Sequence, residues 1–310
     1  MSVLICGSMA FDNIMVFNDR FKNHILPDKV HALSVSFLVP EMRKNFGGCA
    51  GNIAYNLRLL GGDPTPMATV GSDFGNYADW MDKWGIRRTH VRAMEDAFTA
   101  QAYITTDLDD NQITAFHPGA MDYSHLNEVS QAQNIRMGIV APDGREGMIS
   151  HSAQFEEAGI PFIFDPSQGL PMFDGDELRR FIQQATYVTV NDYEWELVST
   201  RTGMSKDEVQ QQVEALIITR GARGSEIHTS SAVIEIPPAK PARTADPTGC
   251  GDAYRAGLLY GMTNDMDWET TGRIASLMGA IKIESYGTQH HVFEWDEFLA
   301  RFEESFGRAL

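Results

Sequence analysis

The sequence predicts an α/β fold: a doubly wound, mostly parallel sheet with helices on both faces, plus a small β-sheet lid. Short, wholly apolar runs recur along the 310 residues, and such runs are typical of strands buried on both faces of a parallel sheet. Stretches with apolar residues at helical spacing lie between them and indicate connecting helices. Two further stretches alternate small polar and apolar residues without an intervening helix, and they predict the separate β-layer.

Five apolar runs are predicted to be strands of the main sheet, and two amphipathic stretches are predicted to be helices that cover it. The strands are residues 3–6, 137–141, 161–164, 187–190 and 215–219, and the helices are residues 53–60 and 176–185.

The lid is predicted from residues 13–45 and 98–117. Within them, residues 34–39 and 99–106 alternate as strands do. The rest of the chain, residues 1–12, 46–97 and 118–310, is then expected to form the α/β domain that binds nucleotide and substrate.

Composition narrows the partners and the location. The net charge of −17 argues against a nucleic-acid partner, because binding to its backbone depends on basic patches. The apolar runs fall well short of the roughly 20 residues that span a bilayer, and the first residues resemble a buried strand rather than a signal peptide. We therefore expect a cytoplasmic protein without a membrane partner. Cys6, Cys49 and Cys250 lie far apart, which indicates free thiols.

The most informative segment, residues 244–257, passes from a turn into an amphipathic helix. The glycines of Gly249-Cys250-Gly251-Asp252 leave backbone amides uncovered at the helix start. Such amides bind anions, phosphate among them. Asp252 could simply cap the helix, but beside an anion pocket a carboxylate is suited to accept a proton while the amides hold a phosphoryl group.

Polar residues near two predicted strand ends are candidates for substrate binding. Ser8 and Asp12 follow the first strand, at the edge of the sheet where ligands bind in doubly wound folds. Gly47 and Gly48 let the backbone approach a ligand closely, and Asn52 offers both a donor and an acceptor to vicinal hydroxyls. Asp12 could instead be an ordinary surface aspartate, and the segment from Gly47 to Asn52 could simply form a tight strand-to-helix turn.

Two more segments are candidates for the nucleotide and a metal ion. Asn191 and Glu194 follow an apolar strand, and an amide with a carboxylate suits a mostly hydrated Mg²⁺. The same pair could simply begin a helix. Thr219, Gly221 and Gly224 lie between two predicted strands, where Gly-x-x-Gly alone would indicate a hairpin turn.

Together these motifs resemble the two signatures and the motif order of the ribokinase-like, or phosphofructokinase B, family. The resemblance implies that Asp252 is the catalytic base and that Gly249, Cys250 and Gly251 form the anion hole. Two further sets of residues take binding roles by the same resemblance. The substrate set is Ser8, Asp12, Gly47, Gly48 and Asn52; the set for ATP and water-mediated Mg²⁺ is Asn191, Glu194, Thr219, Gly221 and Gly224.

Within that family the chain most resembles the actinobacterial-type adenosine kinases, in segments such as 116–121 and 165–168 that lie outside both signatures. By this resemblance Phe116 stacks on a purine, while Ser36 and Gln168 contact the base or ribose. Ordinary packing is the alternative for Phe116. Ala102 stands where these relatives have phenylalanine, so the pocket is expected to be wider or to use Tyr103 instead.

The resemblance therefore predicts an adenosine kinase, which transfers the γ-phosphate of ATP to the 5′-hydroxyl of adenosine and gives AMP for purine salvage. A ribokinase- or fructokinase-like sugar kinase and a broader nucleoside kinase are the open alternatives. ATP and Mg²⁺ are the implied cofactors, and activation by K⁺ is left open. A homodimer through the lid is expected, because exposed strand edges need protection.

Overall fold

The apolar runs form strands and the amphipathic stretches form helices in the computed structural model, which describes residues 2–25, 34–109 and 111–310. The strands are Ser2–Cys6 (β1), Ala10–Val16 (β2), Glu41–Gly47 (β3), Pro64–Gly71 (β4), His90–Met94 (β5), Ala100–Thr106 (β6), Gln112–His117 (β7), Ile135–Val140 (β8), Phe162–Phe164 (β9), Tyr187–Asn191 (β10), Ala215–Thr219 (β11), Ser225–Thr229 (β12) and Val233–Ile236 (β13). The α-helices are Cys49–Leu59 (α1), Gly75–Lys83 (α2), Arg145–Glu157 (α3), Gly175–Gln184 (α4), Asp192–Thr202 (α5), Lys206–Gln210 (α6), Cys250–Thr263 (α7), Trp268–Ile283 (α8) and Trp295–Phe306 (α9).

The main sheet has the order β13-β12-β11-β10-β9-β8-β1-β4-β5 among the described residues. Its strands are parallel except β12 and β13, which add an antiparallel hairpin at one edge. Alternate side chains of β1 enter different cores: Val3 and Ile5 pack with α1 and α7, whereas Leu4 and Cys6 pack with α3 and α4. The doubly wound prediction is therefore confirmed. None of the helices in this part of the chain is long and apolar enough to cross a membrane.

A second, smaller sheet has the order β3-β2-β6-β7 within the described ranges. It confirms the predicted separate β-layer. Its register places Asn45, Asp12, Ala102 and Phe116 in one row across the four strands, and paired residues share a face of the sheet. Asp12 and Phe116 therefore lie on the same face.

Residues 34–39, all within the described part of the chain, form no strand, so that prediction was wrong. An apolar side chain of this segment packs against aromatic rings instead of entering a sheet: the centroid of the Phe37 ring lies 4.8 Å from that of Phe17 and 5.0 Å from that of Phe21. Pro40 follows, and proline has no N–H to donate to a ladder. The strand β3 begins only after it, at Glu41.

Candidate active site

The carboxyl ends of the parallel strands meet at one edge of the main sheet, and many of the candidate residues lie there. Ser8 follows β1, Asp165 follows β9, and Asn191 and Thr219 end two neighbouring strands in register. This edge is where ligands bind in doubly wound folds.

The helix α7 begins beside this edge with the predicted anion-binding turn. Gly249 is its N-cap residue, with a left-handed φ of 80° that glycine adopts without strain. The amide of Cys250 donates to the Pro247 carbonyl at 3.2 Å. The prediction that the amides of this turn are uncovered is therefore wrong for Cys250. The amides of Gly249, Gly251 and Asp252 donate to no backbone carbonyl within the described residues. They are available to an anion at a positive helix end.

Asp252 lies in the first turn of α7, next to those amides. Its Oδ2 accepts a hydrogen bond from Nδ2 of Asn52 at 2.8 Å. Burial raises the pKa of Asp252 to about 6, Asp165 adds to the rise, and Asn52 and Arg255 oppose it. A carboxylate with such a pKa is ionised at neutral pH and is a better base than an ordinary aspartate.

A chain of hydrogen bonds fixes the amide of Asn52. Its Oδ1 accepts from Nε2 of Gln289 at 2.9 Å, and the same nitrogen lies 2.7 Å from the Tyr77 hydroxyl. The Tyr77 hydroxyl donates to the Gly47 carbonyl at 2.8 Å. Since Oδ1 faces Gln289, Nδ2 faces Asp252. Sequence reasoning missed Gln289 and Tyr77, because no local pattern connects them to Asn52.

Asp12 lies directly over the glycine turn that leads into α1. A Cβ at Gly47 would lie 2.4 Å from Oδ2 of Asp12, and Gly48 has a left-handed φ of 84°. Burial raises the pKa of Asp12 to about 6, and Asp246 adds to the rise. Oγ of Ser8 accepts from the Cys49 amide at 3.2 Å, so Ser8 supports this turn. Contacts of these residues with a substrate stay predictions.

Asn191 and Glu194 form a reciprocal capping box at the start of α5. The Glu194 amide donates to Oδ1 of Asn191, and the Asn191 amide donates to Oε2 of Glu194, both at 2.7 Å. Burial is the main cause that raises the pKa of Glu194. The local structure is therefore the one expected if Asn191 and Glu194 simply begin a helix. These oxygens keep unused lone pairs, so the pair still fits a hydrated Mg²⁺ held through water.

The candidate nucleotide loop is the turn of the β11–β12 hairpin. The Arg220 amide donates to the Gly224 carbonyl at 2.8 Å. Gly224 has a φ of 81°, and a Cβ there would lie 2.1 Å from the Ile236 carbonyl oxygen. Gly221 has open space around the position of a Cβ. Gly221 is exposed, and the half-buried Thr219 that precedes the turn pairs with Asn191 on the neighbouring strand.

A buried ion pair under α7 was missed by the sequence analysis. Nε and Nη2 of Arg255 donate to Asp165 at 3.0 and 2.9 Å, and the two residues are only 4% and 1% exposed. Nη1 of Arg255 also donates to the Gly251 carbonyl at 3.4 Å. This bidentate pair ties the first turn of α7 to the end of β9, which holds Asp252 in place.

The lid carries the aromatic candidate on the face that also carries Asp12. Phe116 is 53% exposed and is paired with Ala102, which is 9% exposed. Tyr103 cannot replace the missing ring at Ala102, because neighbouring residues of a strand point to opposite faces. Its hydroxyl donates to Gln101 on that opposite face at 2.7 Å. Ser36 and Gln168 are exposed, and their substrate contacts stay predictions.

Free amides at a helix start, with a carboxylate beside them at the edge of a doubly wound sheet, are suited to phosphoryl transfer, the reaction of a phosphotransferase. The chain belongs to the pfkB family of carbohydrate kinases, whose family model matches residues 9–295.

Similar proteins within this family include nucleoside kinases. The nucleoside kinase of Methanocaldococcus jannaschii is 32% identical over 273 residues, which cover 87% of this chain and 89% of the relative. The structure of Burkholderia thailandensis nucleoside kinase in complex with inosine is 54% identical, with a TM-score of 0.91 and 99% of each chain covered. The same enzyme in complex with ADP-inosine is 56% identical, with a TM-score of 0.88 and coverage of 99% of this chain and 97% of that one.

Proposed function

We propose that the protein is an ATP-dependent nucleoside kinase that phosphorylates the 5′-hydroxyl of purine nucleosides. Adenosine, which would give AMP for purine salvage, is the substrate that the sequence favours. The observation that carries this proposal is the Asp252 carboxylate, held by Asn52 at 2.8 Å beside the free amides of α7. That arrangement supplies a base and an anion pocket at one point.

In the proposed mechanism, Asp12, Gly48 and Asn52 bind the ribose hydroxyls and direct the 5′-hydroxyl toward Asp252. Asp252 takes the hydroxyl proton as the phosphoryl group is transferred. The amides of Gly249, Gly251 and Asp252 stabilise the charge on a loose transition state, so positioning and electrostatics supply most of the catalysis. Mg²⁺ bound with ATP would neutralise phosphate charge, held through water by Asn191 and Glu194.

The lid supports a nucleoside rather than a free sugar. An exposed aromatic face at Phe116, on the same face of the lid as Asp12, offers stacking to a purine, which a sugar cannot use. The small side chain of Ala102 lies between them and leaves room for more than one kind of purine base. The names of the similar kinases and the inosine bound to the Burkholderia enzyme agree with this breadth.

We also propose a homodimer through the lid. Met42, Tyr103 and Ile113 lie on the face opposite Asp12 and are 65%, 43% and 43% exposed. Pairing of two lids would cover these side chains and protect the strand edges. Sedimentation equilibrium tests this: a dimer that Met42→Glu converts to a monomer is expected, and a monomeric parent protein contradicts it.

The proposed activity is tested by measuring ADP release from ATP and Mg²⁺ with adenosine, inosine, guanosine, cytidine, ribose and fructose in turn. We expect kcat/KM to be highest for the purine nucleosides of this panel. Turnover of sugars alone would keep the phosphoryl chemistry and replace the nucleoside assignment with a sugar kinase.

A further inference from the structure

A buried ammonium lies behind the anion-binding turn, on the helix α8. Lys282 has no exposed surface. Its Nζ donates to the Asp246 carbonyl at 2.8 Å and to the Ser285 carbonyl at 3.1 Å. The first carbonyl belongs to the turn that leads into α7, and the second follows α8. An ammonium is costly to bury, so a charge kept there needs compensation from the groups around it.

The groups that face Lys282 are mostly anionic or belong to the site. Burial lowers the pKa of Lys282, while Asp246, Cys250 and Asp252 oppose that fall. The charge of Lys282 in turn acts to lower the pKa of His291, as it does for Asp246 and Cys250. The Asp246 carboxylate accepts from the amides of Thr248 and Gly287, each at 2.9 Å. Two backbone amides thus hold the side chain of Asp246, and Lys282 holds the backbone carbonyl of the same residue.

K⁺ does not fit this turn as the residues now stand. A monovalent cation that stabilised the turn would bind backbone carbonyl oxygens there, and the Asp246 carbonyl of the turn already accepts from the ammonium of Lys282, as does the neighbouring Ser285 carbonyl after α8. We propose that Lys282 supplies the cation of the anion-binding turn, so that the kinase works without K⁺. This inference rests on the proposed phosphoryl transfer.

The proposed role is positioning rather than contact with the substrate. Lys282 touches the carbonyl side of the turn whose amides at Gly249, Gly251 and Asp252 are to hold the phosphoryl group. A fixed positive charge behind such amides strengthens their attraction for a developing negative charge, and it needs no reorganisation during the reaction. Loss of that charge should lower kcat more than it changes KM for the nucleoside.

The first test compares the parent enzyme in potassium, sodium and tetramethylammonium chloride at one ionic strength, with adenosine and ATP·Mg²⁺. Equal rates in the three salts are expected, and a rate that rises severalfold with K⁺ would overturn the proposal. An enzyme that phosphorylates no nucleoside in any salt would instead reject the proposed function, so the two failures are distinguishable.

The second test uses Lys282→Met, which keeps the length of the side chain and removes its charge. We expect kcat to fall by about 10- to 100-fold, with partial recovery when ammonium or potassium chloride replaces tetramethylammonium. The exposed Lys240→Met is the control and should match the parent. Parent-level activity of Lys282→Met, or a folded variant that no cation restores, would overturn the proposal. If the variant does not fold, the salt series on the parent decides.

Discussion

Asp252 combines two environments, one that makes it a stronger base and one that keeps it charged. Burial and Asp165 raise its pKa, while Asn52 and Arg255 lower it, and the balance near 6 leaves the carboxylate ionised at neutral pH. The same residue adjoins the free amides of α7. Its strength as a base therefore depends on neighbours that lie in α1, directly after β9 and in α7.

Asp252→Asn should lower kcat by about 10²–10⁴-fold, or about 3–5 kcal/mol of barrier, because an amide cannot accept the hydroxyl proton. The measurement is steady-state kinetics together with a melting curve. Asp176→Asn, a change to an exposed carboxylate in the first turn of α4, is the control and should leave kcat unchanged. Near-parental turnover of Asp252→Asn would remove this residue from the role of base.

The pH profile should show two carboxyl groups. The pKa values of Asp252 and Asp12 are both raised to about 6. Below that pH both groups take up a proton and lose the charge that accepts hydroxyl hydrogens, so kcat/KM should fall more steeply than one ionisation allows. It should be constant from neutral pH upward until another group titrates.

Asp12→Asn removes one of the two carboxyls and is the control for this profile. The remaining acid limb should then have the slope of a single ionisation. A parent profile that stays flat down to pH 5, well below both pKa values of about 6, would contradict the assignment of these carboxylates to the reaction.

The residues of the short motifs were predictable from the sequence, because glycines, a following carboxylate and helix periodicity form local patterns. Asp252, Asn52 and Asn191 lie at the predicted sheet edge or helix start, whereas Asp12 lies inside β2 of the small sheet and not at the edge of the main sheet. Their supports were not predictable. Arg255 meets Asp165 across 90 positions of sequence, and Gln289 meets Asn52 across 237, so only the fold brings them together.

At the scale of the strand, alternation separates two aromatic residues of the lid. Phe116→Ala should raise KM for purine nucleosides by about tenfold to a hundredfold, which corresponds to the loss of one stacking contact, with a smaller change in kcat. Tyr103→Ala changes the opposite face and is the matched control. An unchanged KM in Phe116→Ala, or an equal rise in both variants, would reject the stacking proposal.

At the scale of the helix, the capping box of α5 should do more than cap. Asn191→Ala is expected to cost about 1 kcal/mol in the free energy of unfolding and to raise KM for ATP as well. Asp174→Ala removes an equivalent capping box from α4 and should lower only stability. If both variants lower stability and neither changes KM for ATP, then Asn191 serves the helix alone.

The elements themselves followed from periodicity wherever burial was uniform. The apolar strands β1, β8, β9, β10 and β11 form close to their predicted bounds. Residues 34–39 did not, because alternation measures which side chains are buried and not whether a neighbouring strand is present. There the burial comes from the rings of Phe17 and Phe21.

At the scale of the whole molecule, the negative net charge of the protein disfavours the binding of an anionic nucleotide. A net charge of −17 repels a nucleotide at long range, so capture of ATP depends on local positive potential. The free amides of α7 and the buried Lys282 supply such potential at one edge of the sheet.

We propose that one site joins a phosphoryl-transfer base to a purine slot. A single competition tests it: limiting ATP labelled in its γ-phosphate, with Mg²⁺ and equal concentrations of adenosine and ribose, followed by separation of the labelled products, for the parent and for Asp252→Asn. We predict that labelled AMP predominates for the parent and is nearly absent for the variant. Labelled ribose phosphate as the main product, or AMP formed equally well by Asp252→Asn, would contradict the account.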